Sequence, residues 1–187
     1  MVEQVLADMS RAGDIDYIAL RYFNAAGAHP KADMGEDHRP ESHLIPLILK
    51  SLLKGNDTLK SLKVFGDDYD TPDGTCIRDY IHVKDLADAH LLALKHLSKE
   101  GPSGVYNLGN GKGFSVLETI RAAERVTGRR VPFEMVGRRP GDVSILTAEA
   151  DRIRTEMDWR PRYTELESII ATAWEWHRRN PNGYAGR

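Results

Sequence analysis

The chain has 187 residues, 41% of them hydrophobic and 29% charged, with 26 basic against 28 acidic side chains and a formal net charge of −2. That length supports one domain with a proper core, and the balance is that of an ordinary globular protein. It excludes the strongly basic face that a polyanion such as DNA requires, so no nucleic-acid partner is expected; a small anion held by well-placed arginines remains possible.

Val2 to Arg11 reads as the end of a helix, and its first ten residues, MVEQVLADMS, lack the basic start and apolar run of a signal peptide. Asp16 to Phe23 (DYIALRYF) is dense in β-branched and aromatic residues and reads as a buried strand. Asn24 to Ser42, punctuated by Gly27, Pro30, Gly35 and Pro40, reads as loop. His43 to Lys54 is helical, with Ile45, Ile48 and Leu52 on one face and Gly55 as its stop. The longest apolar run, Leu44 to Leu53, is interrupted by Pro46, Lys50 and Ser51. It is far short of the roughly 20 residues that span a bilayer, and no membrane partner is expected.

Ser61 to Phe65 reads as a strand, residues 66–75 (GDDYDTPDGT) as a turn-rich excursion, and Cys76 to Val83 as a returning strand. Cys76 is the only cysteine. It forms no internal disulfide, which suits a reducing cytoplasm, and reads as a half-buried small residue. A helix follows with Val83, Ala87, Leu91 and Leu94 on one stripe, then a strand at Gly104 to Leu108. Ser115 opens the next helix with Glu118 completing a capping box. Val131 to Val136 is a strand, and two helices close the chain, the last opening at Thr164 with Glu167 as its capping glutamate. Trp174 shares a face with Ile170 and is expected in the core. Strands alternating with helices predict an α/β fold with parallel pairing.

The motifs need weighing. Gly109-Asn110-Gly111-Lys112-Gly113 lies between a strand and a helix but lacks the G-x-G-x-x-G spacing that lets a backbone approach a pyrophosphate, and reads as a plain glycine-rich loop. Tyr80 and Lys84 have the Tyr-x-x-x-Lys spacing, yet that pair works only when both side chains share a helix face. Here Tyr80 lies in a strand-like run, so the match reads as a decoy. Arg78 is either an ion-pair partner of Asp79 or Asp85, or a guanidinium for a phosphate; Arg138-Arg139-Pro140-Gly141-Asp142 offers a second fork. The seven histidines show no metal-ligand spacing, and His38 among Glu36, Asp37 and Glu41 reads as a solvated loop residue, so no metal is expected.

Taken together, LRYFNAAGAH (Leu20 to His29), VFGDDYDTPDG (Val64 to Gly74), TCIRDYIHV (Thr75 to Val83), YNLG (Tyr106 to Gly109) and RRPGDV (Arg138 to Val143) resemble the UDP-glucose 4-epimerases of the extended short-chain dehydrogenase superfamily. The resemblance runs from about Met1 to Pro181. It implies the carboxyl-terminal part of an NAD(P)-binding Rossmann-like fold, mainly the substrate-binding domain. Residues 1–30 would be a remnant of the Rossmann domain, and residues 31–187 mainly UDP-sugar-binding domain with interleaved Rossmann elements. The family interconverts UDP-galactose and UDP-glucose through a 4-keto intermediate with tightly bound NAD.

The resemblance further implies that Tyr22 and Phe23 lie beside the nicotinamide. Asn24 would bind the diphosphate or sugar, and His43 and Leu44 would contact substrate, although the family often has Asn at the position of His43. Lys63 and Phe65 would flank the uracil, Arg78 and Arg139 grip the diphosphate, Asp142 hold the uridine ribose, and Leu146 sit at the sugar pocket. The family's catalytic Tyr-x-x-x-Lys and cofactor loop precede the segment matched by Met1 to Gln4. The chain is therefore expected to be the UDP-sugar-binding half, inactive alone, with no catalytic residue of its own. A non-catalytic UDP-sugar-binding module and a fragment of another UDP-sugar 4-epimerase are the alternatives. A homodimer is possible.

Overall fold

The computed structural model describes residues 1–54 and 62–184. The expected helix stop at Gly55 and strand start at Ser61 lie outside the described residues. The elements run α1 (Val2–Ala12), β1 (Ile18–Arg21), β2 (Asn24–Ala26), α2 (Leu44–Lys54), β3 (Leu62–Phe65), β4 (Ile77–Arg78), β5 (Tyr80–His82) and α3 (Val83–Leu97). After these come β6 (Gly104–Asn107), β7 (Phe114–Ser115), α4 (Val116–Thr127), β8 (Phe133–Val136), β9 (Ile145–Leu146), α5 (Asp151–Met157) and α6 (Leu166–Arg179).

Strands β1 and β6 pair in parallel, as do β2 with β5 and β3 with β8. Strand β4 lies between β9, parallel to it, and β7, which is antiparallel. The α/β class with mainly parallel pairing is therefore as the sequence predicts. The strand boundaries are not. The run Asp16 to Phe23 yields only the half-buried β1, and Asn24 to Ala26, read as loop, forms β2. The run Cys76 to Val83 splits into β4 and β5, which belong to different sheets. The break is Asp79, 1% exposed, whose carboxylate accepts the backbone N–H groups of Asn110 (3.1 Å) and Ala148 (3.2 Å). A buried carboxylate needs such donors, and meeting them turns the chain from one sheet into the next.

Two hydrophobic clusters hold the molecule. One gathers Ile81, Leu86, Tyr106, Leu108, Ile153 and Trp159 beneath β1. The other gathers Ile48, Leu49, Val64, Ile120, Ile169 and Ile170, packing α2, α4 and α6 against β3. The chain passes between them repeatedly.

Helix faces divide by what they meet. The Ile45, Ile48, Leu52 face of α2 is buried, as its spacing predicts. The stripe read on α3 is not: Val83, Leu91 and Leu94 are 37%, 56% and 62% exposed, and the helix buries Asp85, Leu86, Ala89 and Ala93 instead. Small residues let α3 lie close on its sheet, while Asp85 accepts the N–H groups of Arg162 and Tyr163, both at 2.9 Å. The caps also divide. Ser115 forms the full capping box with Glu118. The box read at Thr164 does not form; α6 starts after Glu165, and Glu167 bonds Arg125 of α4. Trp176 rather than Trp174 is the fully buried indole; its Nε1 donates to the carbonyl of Glu36 at 3.2 Å, while Trp174 is half-buried under Arg129.

Candidate functional site

A cavity of about 240 Å³ opens where β3, β4 and the loop after β8 meet the start of α2. The parallel pairing of β3 with β8 brings Phe65 beside Val136, and the chain leaving β8 returns over it as Arg138 to Asp142. Within that return, the N–H of Asp142 donates to the carbonyl of Arg139 at 3.2 Å, and Gly141 takes φ +87°. Arg-Pro-Gly-Asp is thus a type II turn, with proline and glycine at the positions that demand them. It sets Arg139 and Asp142 side by side at the cavity wall. The guanidinium of Arg139 lies 4.2 Å from the centre of the Phe65 ring, a cation–π contact that orients both.

Arg78, on β4, lines the same cavity. Its side chain is 18% exposed; Nη1 donates to the carbonyls of Ile77 (2.9 Å) and Val143 (2.8 Å), and Nη2 lies 3.7 Å from Asp142. Both hydrogen bonds leave from Nη1, so much of the five-donor guanidinium remains for an anion. Asn24, His43, Leu44 and Lys63 complete the predicted residues in this cavity. The Nδ2 of Asn24 donates to the carbonyl of Asp79 at 3.0 Å, which ties β2 to the β4–β5 break. Cys76, buried rather than half-buried, also lines the cavity, with Tyr80 and Val116. Sequence reasoning missed these as site residues. They lie within or next to motifs, but their place in the wall depends on strands remote in the chain.

A second cavity of about 510 Å³ adjoins the first, sharing Asn24, Ala25 and His43. Phe23, 44% exposed, borders it, as do Val83 and Lys84. Tyr22 lines neither cavity; it is 42% exposed and meets His90 edge-on at 6.3 Å between centroids. Leu146 also lines neither, although β9 sets it opposite Arg78 in register. The second guanidinium fork is incomplete as well. Arg138 bonds Asp68 at 2.7 Å and covers the Tyr69 ring, which leaves Arg139 to face the cavity.

The fold brings His38 and His43 close to two carboxylates of the same loop. Glu36, His38, Glu41 and His43 bring one ligand atom each to within 4.8 Å of one another. The bland ion pairs proposed for Arg78 are also absent among the described residues: Asp79 and Asp85 are bound by backbone N–H groups, and Asp142 is the carboxylate beside Arg78.

The profile of the NAD dependent epimerase/dehydratase family matches residues 1–109. The chain belongs to that family. It is 50% identical over 184 residues to a UDP-glucose 4-epimerase of Halalkalibacterium halodurans, covering 98% of this chain and 54% of that one. It is 48% identical to one of Azospirillum brasilense, covering 95% and 50%. Among solved structures, a UDP-glucose 4-epimerase superposes with TM-score 0.93 at 50% identity, covering 98% of this chain and 55% of that one. The Bifidobacterium longum enzyme in complex with NAD+ and UDP superposes at 0.88 with 42% identity, covering 97% and 53%. The chain thus spans about half the length of the curated relatives it matches, and its fold is the matching part of an extended short-chain dehydrogenase fold.

Two motifs that might have carried this family's chemistry do other work here. Tyr80 is 5% exposed on β5, and burial pushes its phenol above the usual value, the opposite of what proton transfer needs. Lys84 sits in the first turn of α3, 3.8 Å from Asp88. The two side chains therefore do not share a helix face. The glycine-rich loop is committed to packing. A Cβ on Gly109 would lie 2.3 Å from the carbonyl oxygen of Ala148, and one on Gly113 would lie 2.3 Å from Ile77. Asn110 donates its backbone N–H to Asp79 and its Nδ2 to the carbonyl of Tyr80 at 2.6 Å. No helix of the described residues is long and apolar enough to cross a membrane.

Proposed function

We propose that this chain is the nucleotide-gripping part of a UDP-glucose 4-epimerase, the enzyme that inverts C4 of the sugar in UDP-galactose and UDP-glucose. The observation that carries the reading is the first cavity. It joins an aromatic ring under a guanidinium (Phe65, Arg139), a second guanidinium with free donors (Arg78) and a carboxylate between them (Asp142). An aromatic face suits a uracil ring, paired guanidinium groups suit a diphosphate, and a carboxylate suits ribose hydroxyls. Lys63 flanks the same wall through β3, and Asn24 and His43 stand where the first cavity passes into the second, the place for the sugar. Leu146 has no part in this grip.

NAD supplies hydride chemistry when bound in this family. The residues of this chain fit one edge of such a site, through Phe23, and do not fit its phosphates: the glycine-rich loop is closed around Asp79. No step through the cofactor is derived from this chain. What its residues do is anchor UDP strongly while the second cavity leaves the sugar room to turn, so that binding energy remote from C4 positions each sugar face in turn. The interleaving of the two hydrophobic clusters along the chain supports a single unit in which Rossmann and substrate-binding elements alternate.

Isothermal titration of the purified chain with UDP tests the grip. Micromolar affinity is expected; absence of binding at millimolar UDP would sink it. A coupled assay with UDP-galactose and added NAD tests the rest. No turnover is expected, because the only Tyr-x-x-x-Lys in the 187 residues is the buried decoy. UDP binding without turnover is equally the behaviour of a binding module. Adding the part of a curated relative that this chain does not match separates the two, since only an epimerase half gains activity.

A further inference from the structure

The loop between β2 and α2 holds a cluster that the nucleotide grip leaves unexplained. The Nδ1 of His43 lies 2.8 Å from Glu36 Oε1, 3.1 Å from Glu41 Oε1 and 3.2 Å from the Nδ1 of His38. The His38 Nδ1 is itself 3.0 Å from Glu36 Oε1 and 4.0 Å from Glu41 Oε1. An ion with nitrogen and oxygen ligands at about 2.0–2.1 Å in tetrahedral array separates its ligand atoms by roughly 3.3 Å. The separations given above, 2.8–4.0 Å, bracket that spacing, and each residue offers an atom that carries a lone pair when deprotonated.

We propose that Glu36, His38, Glu41 and His43 form a four-coordinate site for a divalent transition metal, with zinc as the ion whose chemistry fits best. Protons serve this group poorly. Two carboxylates and two imidazole nitrogens converge on one small volume, and a proton shared by one pair leaves lone pairs of the others facing each other. A single divalent cation takes one lone pair from each and offsets the charge of Glu36, while Glu41 is already paired with Lys50. Imidazole nitrogen argues against magnesium and calcium, which take oxygen ligands in larger number.

The surroundings hold the ligands in place, as supporting hydrogen bonds do around metal sites. Glu41 Oε1 accepts the backbone N–H groups of Ser42 and His43, both at 3.0 Å, while its Oε2 accepts from Lys50 Nζ at 3.0 Å. The carbonyl of Glu36 is fixed by the Trp176 indole, and Tyr184 bonds the carbonyl of Gly35 at 3.0 Å. The side chains of His38 and His43 are 55% and 54% exposed, so an ion reaches them from solvent, and Glu41 closes the inner side at 7%. Because His43 borders both cavities, the ion would fasten the loop that walls the ligand site. The metal site itself does not depend on what that cavity binds.

The test is titration of the chelator-stripped chain with Zn2+ by calorimetry and with Co2+ by absorption. One equivalent of Zn2+ should bind with submicromolar affinity. The Co2+ complex should show the intense visible bands of four-coordinate cobalt and no thiolate charge-transfer band. His38→Ala and Glu36→Gln should each weaken Zn2+ binding roughly 100-fold, with circular dichroism reporting that they fold, while His96→Ala leaves it unchanged. Binding that survives His38→Ala and Glu36→Gln, the weak spectrum of six-coordinate cobalt, or no saturable binding at micromolar Zn2+ would overturn the site.

Discussion

The two adjoining cavities are built to different standards. The first is closed by this chain's own charged and aromatic side chains, each held by a partner: Arg139 on Phe65, Arg78 on two carbonyls, Asp142 in a type II turn. The second is bordered on one side by exposed apolar side chains, Phe23 at 44% and Val83 at 37%, and on the other by the Glu36 to His43 loop. The contrast teaches that anchoring and freedom can sit side by side. A nucleotide held rigidly needs oriented donors; a sugar that must present both faces needs space.

Substitutions can break that contrast. Arg78→Ala should cost about 2–3 kcal/mol of UDP affinity, roughly 30- to 150-fold by calorimetry, because a charge-assisted contact to the diphosphate is lost. An affinity within twofold of the parent chain would remove Arg78 from the grip.

The next effect concerns a buried histidine at the start of α3, behind Gly27 of the second cavity. His82 is fully buried, and burial holds its pKa down to about 4. Its Nδ1 accepts the Lys84 N–H at 3.0 Å, its Nε2 meets Thr172 at 3.0 Å, and its ring stacks on Tyr163. Burial likewise lowers His177 to about 4. The unfolded chain takes up these protons near pH 6.5 and the folded chain only near 4, so their contribution is complete above 6.5 and lost as pH falls toward 4. Urea unfolding should show a loss of about 2 kcal/mol per histidine between pH 7.5 and 5.0. His82→Asn, which keeps a capping acceptor, should remove about half of that dependence, leaving the His177 share; an unchanged pH profile would show that His82 is not a source.

Smaller is the cap beside the first cavity. The Ser115 hydroxyl accepts the Glu118 N–H at 2.9 Å and donates to Asp73, and the next residue, Val116, lines the cavity. Ser115→Ala should lower stability by about 1 kcal/mol. Thr164→Ala should change it by less than about 0.5 kcal/mol, since the matching box there does not form. Equal losses in thermal melts would contradict the structure. The smallest effect is expected from Phe23→Ala. UDP affinity should stay within about twofold, and a larger loss would mean that the two cavities bind the nucleotide together.

Much of this was legible because the motifs are local. The type II turn is written in Arg139-Pro140-Gly141-Asp142, and the Ser115–Glu118 box in four consecutive residues. The α2 stripe was legible because both its register and its burial follow one helix period. The α3 stripe misled for the opposite reason. Periodicity gives the faces of a helix but not which one meets the sheet, and here Ala89 and Ala93 go inward because close packing against β1 and β5 favours small side chains. Tyr22 and Leu146 stand apart from both cavities: Tyr22 lies in the turn between β1 and β2, and Leu146 on β9 pairs in register with Arg78.

Sequence alone determined the family and the alternation of strands and helices, since both rest on local motifs and periodicity. Tertiary structure alone decided three things. It turned the chain at Asp79, where backbone donors from residues 110 and 148 meet one buried carboxylate. It diverted Arg138 to Asp68 across 70 positions. It gathered Glu36, His38, Glu41 and His43 into one cluster, because a loop pinned by Trp176 and Tyr184 brings together side chains whose spacing in the chain carries no such signal.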